Sequence, residues 1–131
     1  MTIRAGRTAR PANDLAATRR FYEDLVGLPM QFAFEDHDGF DGVIFGVPDE
    51  RFQLEIVRAP DANVLPRPSV EDQLVLYYED QPARDEVIAR LAAAGFSALA
   101  ADDDTLNPYW AKVGAVVVVD PDGYRLVLTT G

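Results

Sequence analysis

The sequence contains no cysteine, one histidine and one lysine. Without cysteine, the chain can form neither a disulfide framework nor a thiolate nucleophile or metal ligand. No apolar run approaches the length of a membrane-spanning helix, and the first ten residues lack the apolar stretch of a signal peptide. We therefore expect a cytoplasmic protein without membrane contact.

Positive charge is also scarce. The 131 residues include 22 acidic and 12 basic side chains, for a formal net charge of −10. This charge opposes binding to nucleic-acid phosphates, so we expect no nucleic-acid partner. All basic residues except Lys112 are arginines, whose planar guanidinium suits carboxylate and phosphate recognition.

The clearest local pattern is a β-hairpin near the end of the chain. Residues 116–119 are four valines, which favour a strand. The Asp-Pro-Asp-Gly sequence at 120–123 is typical of a tight turn. Residues 124–129 then alternate between apolar and polar side chains, as expected for a second strand with one buried face.

The hairpin pattern occurs twice. The Phe-Gln-Leu-Glu sequence at 52–55 aligns with Tyr-Arg-Leu-Val at 124–127, a shift of 72 residues. The preceding helical segments repeat as well, and each ends near a glycine, Gly27 and Gly95. A repeat of this length indicates a duplicated supersecondary unit.

The chain reads as β-α-β-β-β, a linker, and the same order again. Pro11 cannot donate to a sheet and indicates an edge position or a bulge in the first strand. Met30, Phe32 and Phe34 are predicted to share one face of the second strand. We place a single domain over 1–131, with module 1 at about 1–58, a proline-containing linker at 59–72 and module 2 at 73–131. Strands are predicted at 3–12, 29–35, 43–47, 52–57, 73–79, 96–100, 116–119 and 124–129, and helices at about 14–26 and 80–94.

This order resembles the vicinal oxygen chelate superfamily, the group of glyoxalase I, bleomycin resistance proteins and extradiol dioxygenases. The resemblance covers essentially the whole chain. It implies an α+β fold of two tandem βαβββ modules, which form a curved mixed sheet around a cavity, commonly in a homodimer. It does not imply one activity. The residues that carry it are Asp14-Leu15, Phe21-Tyr22, Leu25-Val26-Gly27-Leu28 and Asp120-Pro121-Asp122-Gly123-Tyr124.

The resemblance also implies where a metal would bind, in the first and last strand of each module. The corresponding positions are Arg7, Glu55, Gln73 and Val127. Glu55 is the one usual ligand type among them, since Arg7 is a cation and Val127 has no donor atom. A divalent ion needs three or four converging donors, so we expect no metal site and no cofactor.

Glu55 is the first candidate for chemistry. It alternates with Leu54 and Ile56 and is expected to face the cavity. Its natural partner is Arg7, or Arg10 if the strand register shifts at Pro11. Such a pair is either structural or holds a ligand's carboxylate or phosphate, whereas a carboxylate in a partly dry cavity can act as a base.

His37 is the second candidate, because it is the side chain that titrates near neutrality. It lies in a polar, glycine-containing loop at 36–42 and is either simply exposed or a catalytic group at the cavity mouth. The aspartates of this loop lack the twelve-residue pattern of a calcium site.

Further candidate ligand-binding residues follow from strand parity and from the repeat. Tyr109 and Trp110 occupy roughly the place of the His37 loop in module 2. They form either a capping cluster or an aromatic wall for a flat ligand. The full predicted set is Arg7, Arg10, Gln73, Tyr77, Tyr109, Trp110 and Arg125.

Three functions are consistent with these residues. The first is a metal-independent small-molecule-binding protein of the resistance type, with an anionic or aromatic ligand. The second is a metal-dependent or acid–base enzyme, a lyase, isomerase or dioxygenase, that uses Glu55 and His37. The third is an interaction module whose cavity has closed.

Overall fold

The structure is a computed structural model, and it describes residues 2–131. The chain divides into two compact units, one that ends at Pro66 and one that comprises Arg67–Gly131. We call them unit 1 and unit 2. The division falls inside the segment that the sequence predicts to link the two repeats. No helix within the described residues is long and apolar enough to cross a membrane.

Unit 1 is built on a four-stranded sheet. The strand order is β1-β4-β3-β2, with β1 parallel to β4 and the other neighbours antiparallel. This is the predicted βαβββ repeat. Its elements are β1 (Gly6–Pro11), α1 (Leu15–Arg20), a π-helical segment (Phe21–Val26), β2 (Met30–His37), β3 (Phe40–Gly46) and β4 (Phe52–Arg58).

The helix of unit 1 begins and ends where the sequence predicts. The Asp14 side chain caps α1 by accepting a backbone N–H of the first turn at 3.2 Å. Gly27 ends the π-helical segment with a φ of 89°, a conformation that suits glycine. Buried Phe21 and Tyr22 face the sheet, where the Tyr22 ring lies 6.3 Å from that of Phe45.

The two faces of β4 differ as the alternation predicts. Leu54 and Ile56 are fully buried on the face that carries the helix. Gln53 and Glu55 lie on the opposite face and are partly exposed. One strand therefore separates a dry core from a polar surface.

Unit 2 repeats this topology with three strands. The order is β5-β7-β6, with β5 parallel to β7 and β7 antiparallel to β6. This matches β1-β4-β3 of unit 1 and confirms the duplication. The elements are β5 (Gln73–Tyr77), α2 (Gln81–Ala93), α3 (Pro108–Lys112), β6 (Val116–Val119) and β7 (Arg125–Thr129).

The predicted turn of unit 2 is confirmed in detail. The Asp120 carboxylate accepts the backbone N–H groups of Asp122 and Tyr124 at 2.8 and 2.9 Å. Gly123 has a φ of 91°. The turn is therefore fixed by the aspartate side chain and by a glycine in the left-handed region.

Three expectations were wrong. Residues 96–100 do not form a strand, although the Leu99 N–H donates to the Val117 carbonyl at 2.9 Å; the side chains at 97, 98 and 100 are small and offer little to pack. Residues 36–42 are not a loop, because β2 and β3 meet in a tight hairpin with Gly39 at a φ of 86°. The first strand begins at Gly6, not at Ile3.

A register shift in β2 also separates two residues that were predicted to share a face. Met30 lies opposite Phe45, whereas Phe32 lies opposite Ile44, and the shift falls between them. Phe45 is in the core and Ile44 is on the other side of β3. A bulge of this kind moves a side chain to the opposite face and leaves no sequence signal.

Candidate functional site

The sheet face of unit 1 that points away from the helix carries two of the candidate residues, Arg7 and Glu55. In the strand register, Arg7 lies opposite Gln53, Glu55 opposite Ile44, and Ile44 opposite Phe32. Register partners point to the same side of a sheet. We call this surface, carrying Arg7, Phe32, Ile44, Gln53 and Glu55, the open face of unit 1.

An ion pair occupies one side of the open face. Arg7 Nε lies 3.3 Å from Glu55 Oε1, and the two side chains are 50% and 18% exposed. Glu55 is thus the deeper group and Arg7 the outer one. The contact forms because β1 runs parallel beside β4 and places both side chains on the same face.

The position of Arg7 does not fit a divalent metal. A guanidinium stands where a ligand was implied and already contacts the one carboxylate there. Throughout residues 2–131, no three His, Cys, Asp or Glu side chains are grouped so that they could hold a metal ion. The residues present therefore form an ion pair instead of a metal-ligand set.

Arg10 belongs to the other side of the sheet. It pairs in register with Ile56, and its guanidinium carbon lies 5.8 Å from the centre of the Tyr22 ring. This distance is within the range of a cation–π contact. The shifted register that would have paired Arg10 with Glu55 is not the one observed.

Two glycines of β3 shape the middle of the open face. A Cβ at Gly42 would overlap the Phe34 ring, and a Cβ at Gly46 would lie 2.6 Å from Gln31 Nε2. The tip of the Phe34 ring therefore lies against β3 at Gly42. The Gln31 side chain crosses β3 to accept a hydrogen bond from Gln53 Nε2 at 2.6 Å.

Three aromatic side chains follow one another along β2. The ring centres of Phe32 and Phe34 are 6.1 Å apart and their planes 29° apart. His37 meets the edge of Phe34 at 6.3 Å. We call these three residues the aromatic row. His37 thus contacts a ring, while Glu55 contacts Arg7, so the two predicted catalytic residues have different partners.

The corresponding face of unit 2 is covered by its own chain. Residues 103–110, which we call the closing segment, are held by two side chains of the sheet. Arg125 Nη1 and Nη2 donate to the carbonyl and hydroxyl oxygens of Thr105 at 3.0 and 2.6 Å. Trp110 Nε1 donates to Gln73 Oε1 at 3.1 Å. Arg125 is consequently only 7% exposed.

The closing segment also contains a perturbed carboxylate. The Thr105 hydroxyl and backbone N–H both donate to Asp103 Oδ1. These hydrogen bonds, the hydroxyl first, lower the pKa of Asp103 below its ordinary value of 3.8.

The exposed tyrosines of the predicted set are in unit 2. Tyr77 is at the end of β5 and is 70% exposed. Tyr109 is 56% exposed, and its ring centre lies 5.1 Å from that of Trp110.

A cleft of about 690 Å³ opens beside the start of α1, and Phe34 and Gly42 also line it. Its floor includes Ala33 and Val43, and Val43 lies opposite buried Ile56, so these residues belong to the helix side of the sheet. Arg19 on its wall is paired with Glu23 at 2.8 Å. The cleft does not contain the Arg7–Glu55 pair.

Sequence reasoning identified Arg7 and Glu55 but missed the rest of the open face. Phe32, Phe34 and the Gln31–Gln53 bridge depend on a bulge and on glycines that no periodicity marks. The available signal was the alternation of Gln53 and Glu55 with buried neighbours, which places Gln53 beside Glu55.

The chain is similar to the YycE protein of Bacillus subtilis. The two sequences are 33% identical over 121 residues, which cover 92% of this chain and 84% of the other. A YycE protein from this organism has been crystallised. Its function is unknown, and it was provisionally assigned to the glyoxalase and fosfomycin-resistance proteins. It matches with a TM-score of 0.86 and 31% identity, over 98% of this chain and 90% of that one.

More distant structures share the fold alone. The fosfomycin resistance protein FosX of Listeria monocytogenes, in complex with Mn(II) and a dihydroxypropylphosphonic acid, matches with a TM-score of 0.73 and 16% identity. The match covers 100% of this chain and 94% of FosX. TnmS3, an antibiotic-binding protein of a Streptomyces species, matches with a TM-score of 0.65 and 17% identity, over 97% and 95% of the two chains.

These likenesses settle the fold. The architecture is that of the glyoxalase and fosfomycin-resistance proteins, within the vicinal oxygen chelate superfamily. The YycE-like N-terminal domain model matches residues 6–57, and the YycE-like C-terminal domain model matches residues 71–130. The chain therefore belongs to the YycE-like family.

Proposed function

We propose that the protein binds a small aromatic molecule carrying a carboxylate or phosphonate on the open face of unit 1, without a metal ion. The observation that carries this proposal is the Arg7–Glu55 pair. The Arg7 side chain is 50% exposed, and it stands where the resemblance implies a metal ligand.

The pair is arranged to present Arg7 to a ligand. Glu55 contacts Arg7 through Nε. This contact orients the guanidinium and leaves its two terminal nitrogens for a ligand. A guanidinium fork binds a carboxylate or phosphonate through two parallel hydrogen bonds. Glu55 acts here as a positioning residue.

The net charge of −10 works against an anionic ligand, but weakly at this site. Charges farther away than about 8 Å are largely screened at physiological ionic strength. The affinity therefore rests on directed hydrogen bonds to Arg7 and on contact with the aromatic row, and long-range attraction contributes little.

The aromatic row supplies the second half of the site. Phe34 is held on Gly42 and Phe32 is 59% exposed, so a flat ligand can stack without rearranging the protein. Aromatic pairs contribute about 0.5–1.5 kcal/mol beyond the burial of area.

The structural relatives agree with a ligand-binding role. FosX was crystallised with a phosphonic acid and TnmS3 binds an antibiotic. The proposal includes no manganese, because Arg7 stands at a position where the resemblance implies a metal ligand. The homodimer implied by the resemblance is part of the proposal, and sedimentation analysis of the purified protein tests it.

An acid–base enzyme using Glu55 is the second candidate, favoured by the low exposure of its side chain. In that case Glu55 must be freed from Arg7 to accept a proton, and Arg7→Gln should increase turnover. If the carboxylate only positions Arg7, the same substitution weakens ligand binding.

Calorimetric titration with biphenyl-4-carboxylate tests the proposal. We expect saturable binding that Arg7→Gln weakens at least about tenfold, a loss of about 1.4 kcal/mol. Arg20→Gln, which removes the same charge from the exposed surface of α1, should leave the affinity unchanged. Equal affinity of the Arg7→Gln protein and the unmodified protein would refute the proposal.

Elemental analysis tests the metal-free part separately. Purified protein should contain no stoichiometric transition metal, and a chelator should not lower its melting temperature, because only a ligand bound to the native state contributes stability by mass action. One equivalent of zinc, iron, nickel or manganese, released with a loss of stability, would favour the enzyme instead.

A further inference from the structure

We infer that the ligand of the open face is elongated and spans about 10 Å from the outer edge of its stacking ring to its oxyanion. The inference rests on the proposed function and concerns the length of the molecule, which chemistry alone does not set. It follows from the strand register.

The first distance runs straight across the sheet. Phe32, Ile44 and Glu55 are successive register partners on β2, β3 and β4. Neighbouring strands lie about 4.8 Å apart, so the backbones at Phe32 and Glu55 are separated by about 10 Å. The Arg7 guanidinium lies against Glu55 and is therefore at the far end of this line.

The second distance runs diagonally. The Phe34 ring rests at Gly42, which lies opposite Val57 on β4. Glu55 is two residues along the same strand from Val57. One strand spacing and two residue rises combine to about 8 Å. Both rings are therefore at a similar distance from the ion pair.

Between the two ends, β3 presents an apolar side chain that is only 8% exposed. Ile44 is the side chain that β3 presents there, flanked on the same face by Gly42 and Gly46. The Gln31–Gln53 bridge borders this space on one side. A rigid, flat and apolar ligand body can lie across Ile44 while its ends reach the aromatic row and Arg7.

This spacing separates two classes of aromatic acid. An acid whose ring is next to its carboxylate can satisfy Arg7 or the aromatic row, but not both. A molecule of two or more rings in line, with the anion at one end, reaches both. Linear multi-ring carboxylates and phosphonates are thus the expected class.

Two isomers distinguish the classes. Biphenyl-4-carboxylate and biphenyl-2-carboxylate have the same atoms and nearly the same hydrophobicity, but in the second the distal ring is folded beside the carboxylate. We expect the linear isomer to bind at least tenfold more tightly in calorimetric titration. Biphenyl-4-carboxamide, which keeps the length without the charge, should also bind at least tenfold more weakly than the linear acid.

Variants assign each end of the ligand. Phe34→Leu should reduce the difference between the two isomers, whereas Phe52→Leu should not. Phe52 is also exposed, but it lies on the helix side of β4, two residues from Leu54. Arg7→Gln should reduce the difference between the acid and the amide while leaving both isomers with similarly weak affinity.

The outcomes separate the two proposals. Equal affinity for the two isomers, lost on Arg7→Gln, would overturn the length and keep the proposed function. No saturable binding of either isomer, or tighter binding of biphenyl-4-methylamine, would overturn the proposed function itself. Isomer discrimination that survives the double substitution Phe32→Leu and Phe34→Leu would overturn the assignment of the ring to the aromatic row.

Discussion

The two units share their strand connections, but the equivalent sheet face is accessible in unit 1 and covered in unit 2. In unit 1, Arg7 on the first strand lies opposite Gln53 on the last. In unit 2, Gln73 on the first strand lies opposite Arg125 on the last. The arginine–glutamine pair is kept with its strands exchanged, yet Arg7 is half exposed and Arg125 is buried.

The two faces differ because the connection that leads into the final hairpin is short in unit 1 and long in unit 2. In unit 1, β2 and β3 are joined at Asp38 and Gly39, too short a turn to reach across the sheet. In unit 2, a long stretch between α2 and β6 contains the closing segment, which Arg125 holds at Thr105. A repeated topology therefore does not repeat a binding surface, because the connection decides whether the face stays accessible.

The largest effect on stability is expected at Arg125. Arg125→Ala removes two hydrogen bonds to Thr105 and should lower the free energy of unfolding by about 3 kcal/mol, as expected for charged hydrogen bonds. Urea unfolding measures this. Arg67→Ala, at an exposed arginine of the same unit, should cost far less.

Arg125→Ala also tests the ligand role that strand parity predicts for this residue. If the variant stays folded but no longer binds biphenyl-4-carboxylate, Arg125 contacts ligand and the contrast between the two faces disappears. Unchanged binding with reduced stability would assign Arg125 to the closing segment alone.

The next largest effect is expected at Gly42, against which the Phe34 ring packs. Gly42→Val places a side chain where the ring now lies and should cost about 2 kcal/mol through overpacking, together with most of the affinity for the biphenyl acid. Combining it with Phe34→Ala should restore stability but not binding. Gly6→Ala is the control, since its Cβ would meet only Phe52 Cδ1 at 3.7 Å.

A smaller loss is expected at the ion pair of unit 1. Arg7→Ala breaks a contact that is half exposed, and such pairs contribute about 1 kcal/mol or less. Chemical unfolding of Arg7→Ala beside Arg125→Ala tests the contrast directly. Equal losses would mean that both arginines stabilise the fold, and would contradict the assignment of Arg7 to ligand binding.

The smallest effect is an acid dependence of the closing segment. The pKa of Asp103 is lowered mainly by the Thr105 hydroxyl, so its contribution is complete above the ordinary carboxyl pKa and is lost as the pH falls through the lowered one. Hydrogen exchange of the Thr105 amide should therefore accelerate in acid relative to Asp103→Asn. Identical profiles for the two proteins would exclude this role of Asp103.

The sequence was sufficient for the fold because its signals are local. Caps at Asp14 and Asp80, the turn at 120–123 and the alternation around Glu55 each depend on neighbouring residues, and the repeat relates them. Alternation places Arg125 opposite in phase to Leu126 and Leu128 on β7. Its burial could not be predicted, because the covering segment is distant in sequence and carries no periodicity.

The site was less predictable for a related reason. The bulge between Met30 and Phe32 depends on how β2 fits its neighbour, and alternation read from the sequence assumes that no bulge occurs. The contact between Phe34 and Gly42 could not be predicted, because it depends on the register in which β2 pairs with β3.

The contact between Phe34 and Gly42 also constrains how the protein can be evolved in the laboratory. A library that varies the stacking residue alone samples only rings or chains compatible with a bare backbone at position 42. Varying both positions together, with small residues allowed at 34, opens combinations that no single change reaches, because each substitution is harmful until the other is present. Selection for new ligands is therefore best started from a library in which positions 34 and 42 vary together.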